Sequence, residues 1–118
     1  MVQIELFRNE TEFKSFAAGD TIFREGDVER LMFVVLDGDV QLSIKGHLVE
    51  KLGPGGVLGE LSLIDAAPRS ATAVALSACK LVPITEQRFM FMVQQTPKFA
   101  LQIMRVIADR LRNMDTRL

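Results

Sequence analysis

Between residues 21 and 84 the apolar residues come in short runs separated by Gly, Asp and Pro. Leu31-Met32-Phe33-Val34-Val35-Leu36 is continuously apolar, as in a strand buried on both faces. Asp37-Gly38-Asp39 reads as a turn. Val40, Leu42 and Ile44 then alternate with Gln41, Ser43 and Lys45, the two-residue period of a strand. Lys45-Gly46-His47 predicts the next turn and residues 48–52 the next strand, with two more strands over 72–76 and 81–84. Short strands roughly 8–12 residues apart predict a β-sandwich or barrel.

The two ends read as helix. Phe13 and Phe16 within residues 11–17 predict a short N-terminal helix. Thr85 is a suitable cap for residues 86–93, where Phe89, Met92 and Val93 share one face. Thr96-Pro97 opens a last helix running to the end, since Pro suits the first helical turn. On it Met104, Ile107, Leu111, Met114 and Leu118 recur at coiled-coil spacing. That seam fits packing on the chain's own barrel, pairing with a second copy, or both. The expected organisation is one domain over 1–118: helical to 18, strands over 19–84, and helices over 85–118.

Composition narrows the function. Of 118 residues 48 % are hydrophobic and 25 % charged, which is ordinary for a folded domain. Lys plus Arg is 14 and Asp plus Glu is 15, so overall charge gives no reason to expect nucleic acid or anionic membrane. Residues 98–118 are locally basic, which fits a solvated helix face better than a nucleic-acid contact. A single cysteine, Cys79, excludes an intrachain disulfide, and a single histidine, His47, leaves no His/Cys metal set. No acid–base pair, Ser/His/Asp arrangement or metal set is visible, so neither an enzyme nor a cofactor is expected. No apolar run approaches the ~20 residues that span a bilayer. The N-terminus lacks signal-peptide character, so a soluble cytoplasmic protein is expected.

The informative stretch is Gly53-Pro54-Gly55-Gly56-Val57-Leu58-Gly59-Glu60-Leu61-Ser62-Leu63. Its glycines imply sharp turns or close approach of backbone to something else. Glu60 to Ile64 can form a turn or two of helix, whose free N–H groups suit a phosphate. Pro68-Arg69-Ser70-Ala71 follows a short loop and can return to the same place, where a guanidinium grips two phosphate oxygens and a hydroxyl donates to a third group. Glu60 repels a phosphate but would accept from a hydroxyl such as a ribose 2′-OH. The pattern fits a phosphate–sugar site; a glycine-rich turn with a surface Arg–Glu pair remains the alternative. A Walker A loop is excluded because Gly59 is followed by Glu60, and a dinucleotide fingerprint lacks its βαβ unit.

Gly59-Glu60-Leu61-Ser62 followed by Pro68-Arg69-Ser70-Ala71-Thr72 strongly resembles the phosphate-binding cassette of cyclic nucleotide-binding domains. Gly19-Asp20-Thr21-Ile22-Phe23-Arg24-Glu25-Gly26-Asp27 resembles the family's first hairpin, and residues 32–40 its next strand and turn. The resemblance covers residues 13–112. It implies an α+β fold, mainly β: an eight-stranded β-roll of jelly-roll type with an N-terminal helix, a short phosphate-binding helix and two C-terminal helices. It implies Glu60 on the ribose 2′-OH, Arg69 and Ser70 on the cyclic phosphate, and backbone amides of Leu61 and Ser62 beside them. Leu42, Val49 and Leu52 match the family's apolar base-contacting positions, with plain core packing as the alternative. The cassette also contributes Gly59 and Ala71. The adenine-binding hydroxyl pair of the catabolite activator protein aligns with Met114 and Asp115, so only Met114 is left to cover the base by contact. The implied function is a sensor for a cyclic purine mononucleotide, cAMP ahead of cGMP, with output through the last helix. The alternative is a domain of the same fold that needs no nucleotide and acts as a dimerisation or interaction module.

Overall fold

The computed structural model describes residues 4–117, with side chains to Asn113. Eight strands form two four-stranded antiparallel sheets. In chain order they are β1 (Lys14–Phe16), β2 (Thr21–Phe23), β3 (Leu31–Asp37), β4 (Val40–Ile44), β5 (His47–Leu52), β6 (Val57–Leu58), β7 (Thr72–Ala75) and β8 (Cys79–Thr85). The helices are α1 (Glu60–Ile64), α2 (Glu86–Gln95) and α3 (Pro97–Arg117). One sheet runs β1-β8-β3-β6 and the other β2-β7-β4-β5.

The continuous apolar run of β3 has a direct structural cause, because its sheet is covered on both faces. Phe33 and Val35 point between the sheets, where they meet Phe23, Val40, Leu42, Leu58, Ala73 and Leu81. Met32 and Val34 point the other way, onto Phe99, Ile103 and Val106 of α3 and onto Ile4 and Phe7 of the N-terminal segment. The second sheet alternates instead: Val40 and Leu42 are buried while Gln41 and Ser43 are half-buried.

Turn chemistry places the strands. Lys45 (φ 51°) and Gly46 (φ 80°) both lie in the left-handed region and join β4 to β5 with Ile44 opposite His47, the two-residue hairpin that suits sheet twist. His47 is therefore the first residue of β5 rather than part of the turn. At Gly38 (φ 88°) the chain passes from one sheet to the other, and a Cβ there would overlap the Ala78 carbonyl. Cys79 lies buried beside that corner.

Two sequence expectations require correction. Residues 14–16 form β1, not an N-terminal helix, with Ser15 opposite Lys80 and Phe16 opposite Cys79. Pairing with β8 decides the conformation of a segment too short to show its own period. The Gly19–Asp27 segment supplies the single strand β2, which pairs with β7, and not a hairpin. Strand β6, unmarked in the sequence, is only Val57–Leu58 and pairs with β3. The capping expectation agrees with the structure: the Thr85 hydroxyl accepts from the Arg88 N–H at 3.2 Å. Among the described residues no helix is long and apolar enough to cross a membrane.

Candidate functional site

A cavity of about 340 Å³ lies between the second sheet, α1 and the C-terminal part of α3, within the usual range for small-molecule sites. It brings together Gly59, Glu60, Leu61, Ser62, Arg69, Ser70 and Ala71 with Leu42 and Val49. Leu52 is not among its walls; it is buried in the core between the sheets and lines a neighbouring cavity of about 280 Å³. The side chain of Met114 lies outside the described residues.

Gly59 starts the site. Its φ of 79° is left-handed, and a Cβ there would overlap the Arg69 guanidinium and press on the Leu31 carbonyl. Only glycine lets α1 begin this close to Arg69. No side chain caps α1, so its first N–H groups have no partner within the helix, while Glu60 places a carboxylate in the first turn, where the helix dipole favours it.

Arg69 is buried at 3 % exposure. Its backbone is fixed by Arg69 N–H to Asp27 O and Gly26 N–H to Arg69 O, each 2.8 Å. The guanidinium lies 4.2 Å over the Phe23 ring. Nη1 donates to the Gly59 carbonyl at 3.2 Å, and Nη2 to Glu29 Oε1 at 2.8 Å. Nε is buried and has no hydrogen-bond partner among the described residues. A buried N–H on a cation is costly to leave unmatched, and this one belongs to a residue in the cavity wall. An anionic oxygen is the partner it would take.

Glu60, 4 % exposed, meets α3 through Arg110. Arg110 Nη1 donates to Glu60 Oε1, Nη2 to the Val57 carbonyl, and Nε to Glu50 Oε1 at 2.9 Å. One guanidinium thereby ties α3 to α1, β5 and β6. Burial by itself pushes the Arg110 pKa down, but the adjacent Glu60 and Glu50 carboxylates outweigh it and hold the pKa above its ordinary value. The folded state thus favours the charged form.

Sequence reasoning missed Arg110, Glu50, Glu29, Phe23, Ile44 and Asn113. Arg110 lies 50 residues from Glu60 and Glu29 lies 40 from Arg69 in sequence, so no local spacing announces either pair.

The family model described as the Cyclic nucleotide-binding domain matches residues 13–96. The Cyclic AMP receptor protein of Thermus thermophilus is 30 % identical over 122 residues, covering 98 % of this chain and 56 % of that protein. The crystal structure of Thermus thermophilus Catabolite Activator Protein superposes with a TM-score of 0.80 at 30 % identity, covering 90 % of this chain and 52 % of that one. The cAMP-bound form of an EAL enzyme gives a TM-score of 0.68 at 29 % identity, covering 87 % and 29 %. The chain thus spans about half the length of the first curated relatives it matches.

Replacing Arg110 by Met leaves Glu50 and Glu60 without their shared cation. At pH 7 the Arg110→Met variant is expected to lose about 3–5 kcal/mol in urea denaturation, the cost of breaking a buried pair. A urea midpoint equal to that of wild type would contradict this account.

Proposed function

The chain belongs to the cyclic nucleotide-binding domain family, and from that premise we propose that it is a sensor module binding a cyclic purine mononucleotide, with cAMP as the preferred ligand. The observation that carries this reading is Arg69, a buried cation in the cavity wall whose Nε lacks a partner. The cyclic phosphate takes that N–H as well as the Ser70 hydroxyl and the first amides of α1, at Leu61 and Ser62. The ribose 2′-OH donates to Glu60, which Arg110 holds in place through one carboxylate oxygen. The base lies against Leu42, Val49, Ile44 and Ala71. The cAMP-bound and cGMP-bound forms of the EAL enzyme support a cyclic purine nucleotide as the ligand class.

The cavity is closed on one side by α3, so a ligand that fills it favours the state in which α3 is docked. This gives the module an output: nucleotide sets the position of the last helix. The outer face of that helix supports a homodimer. Leu101, Met104 and Leu111 are exposed there, at the spacings of a coiled-coil seam. Ile107, expected in the same seam, is instead partly buried against the chain's own core. The helix therefore has two apolar faces. Pairing without ligand is the second reading that this exposed stripe favours.

Arg69→Ala should weaken cAMP binding by about 2–5 kcal/mol, since it removes one partner of a desolvated charged pair. Calorimetry should read a loss of roughly 30-fold to several-thousandfold. Wild-type affinity in the variant would contradict the phosphate assignment.

Leu111→Glu should convert dimer to monomer in sedimentation, because the substitution places like charges opposite each other across the seam. An unchanged mass with a lower melting temperature would contradict pairing through this face. Pairing unaffected by saturating cAMP or cGMP, with no binding of either, would favour the ligand-independent reading.

A further inference from the structure

The N–H groups of a guanidinium all lie in its plane, so hydrogen bonds can satisfy the edge of Arg69 but not its faces. At the edge, Nη1 donates to the Gly59 carbonyl and Nη2 to Glu29. One face is taken by Phe23, whose ring centroid lies 4.2 Å from the guanidinium carbon. Phe23 is itself held in place. It is buried, stands opposite Ala73 of β7, and stacks on Phe33 with centroids 6.4 Å and planes 22° apart. It also lines the cavity, so the ring and the cation share one wall of it. A little further along the chain, Gly26 and Asp27 bond the Arg69 backbone. Strand β2 and the loop after it therefore hold Arg69 both by its backbone and by its charged end.

We propose that Phe23 is a positioning residue for nucleotide binding: the face of its ring holds the Arg69 guanidinium in the orientation that offers Nε to the ligand. This rests on the nucleotide reading of the same cavity. An arginine side chain has several rotatable bonds, and Glu29, its carboxylate partner among the described residues, is half exposed. A partner at the edge of solvent, acting on Nη2, would draw the guanidinium outward. The ring opposes that movement. Its negative face attracts the cation, and more strongly where water is excluded. An aliphatic side chain of similar size would fill the space and offer no such face. Apparent affinity scales with the population of the binding-competent orientation, so the attraction of the ring appears as nucleotide affinity without any contact between ring and phosphate.

The test uses Phe23→Leu and, separately, Phe23 replaced by phenylalanines carrying one, two and three ring fluorines, which keep the shape of the ring and drain its negative face. Calorimetric titration with cAMP should show a loss of about five- to tenfold in Phe23→Leu. The fluorinated forms should lose affinity stepwise with each fluorine and approach the same level. The same fluorines at Phe89, which packs on Phe99 away from the cavity, should leave affinity unchanged. The fluorine series decides the assignment by itself if Phe23→Leu does not fold. A loss in Phe23→Leu with a flat fluorine series would overturn the assignment, since shape alone would then matter, and so would unchanged affinity in every form. Either result leaves the nucleotide site standing. Failure of wild type to bind cAMP or cGMP would overturn the nucleotide reading itself, and this assignment with it.

Discussion

A buried guanidinium is the constraint on which the rest of this structure turns. Arg69 sits inside a small β structure, with its plane on Phe23 and one carboxylate partner, Glu29, that is itself half exposed. A cation in that position demands hydrogen bonds on every N–H, because the surrounding apolar material supplies none. The Gly59 carbonyl and Glu29 meet part of that demand. Glycine is required at 59 because any Cβ would occupy the space of the guanidinium. The backbone of residues 26–27 is held to Arg69 for the same end. What the fold leaves unmet, at Nε, points to the chemistry of the ligand.

The second cation, Arg110, gives the site its roof. The two carboxylates and the carbonyl around it belong to three different elements, so α3 is fixed to the roll by one residue as well as by the apolar contacts of Phe99, Ile103 and Val106. Those apolar contacts lie over the other sheet, away from the cavity. The helix is thus anchored by packing in its first half and by charge at the cavity. Its cavity end is tied to Glu60. In the proposed function, that division joins ligand binding to the helix that carries the exposed stripe.

Much of this was legible in the sequence, for identifiable physical reasons. The two-sided burial of β3 shows as unbroken hydrophobicity, and the one-sided burial of β4 shows as alternation. The cassette is legible because its glycines, glutamate and arginine are close in sequence and their spacing is constrained by the loop they build. Residues 14–16 read as helix because Phe13 and Phe16 fit a helical face, and a three-residue strand has no period to set against that. Leu52 matches a base-wall position in the sequence, whereas its side chain points between the sheets. Arg110, Glu29 and Asn113 were out of reach, since each acquires its place only when distant parts of the chain are brought together.

The most direct test of the central claim is the ¹H–¹⁵N signal of the Arg69 side-chain Nε–H, assigned by its loss in Arg69→Lys and followed through a cAMP titration. A proton that gains a phosphate oxygen as partner should shift strongly downfield, in step with the backbone signals of Gly59, Glu60 and Ser70 and to the same saturation point. If those backbone signals titrate while the Arg69 Nε–H stays where it is, the nucleotide binds without this guanidinium and the account is wrong at its centre.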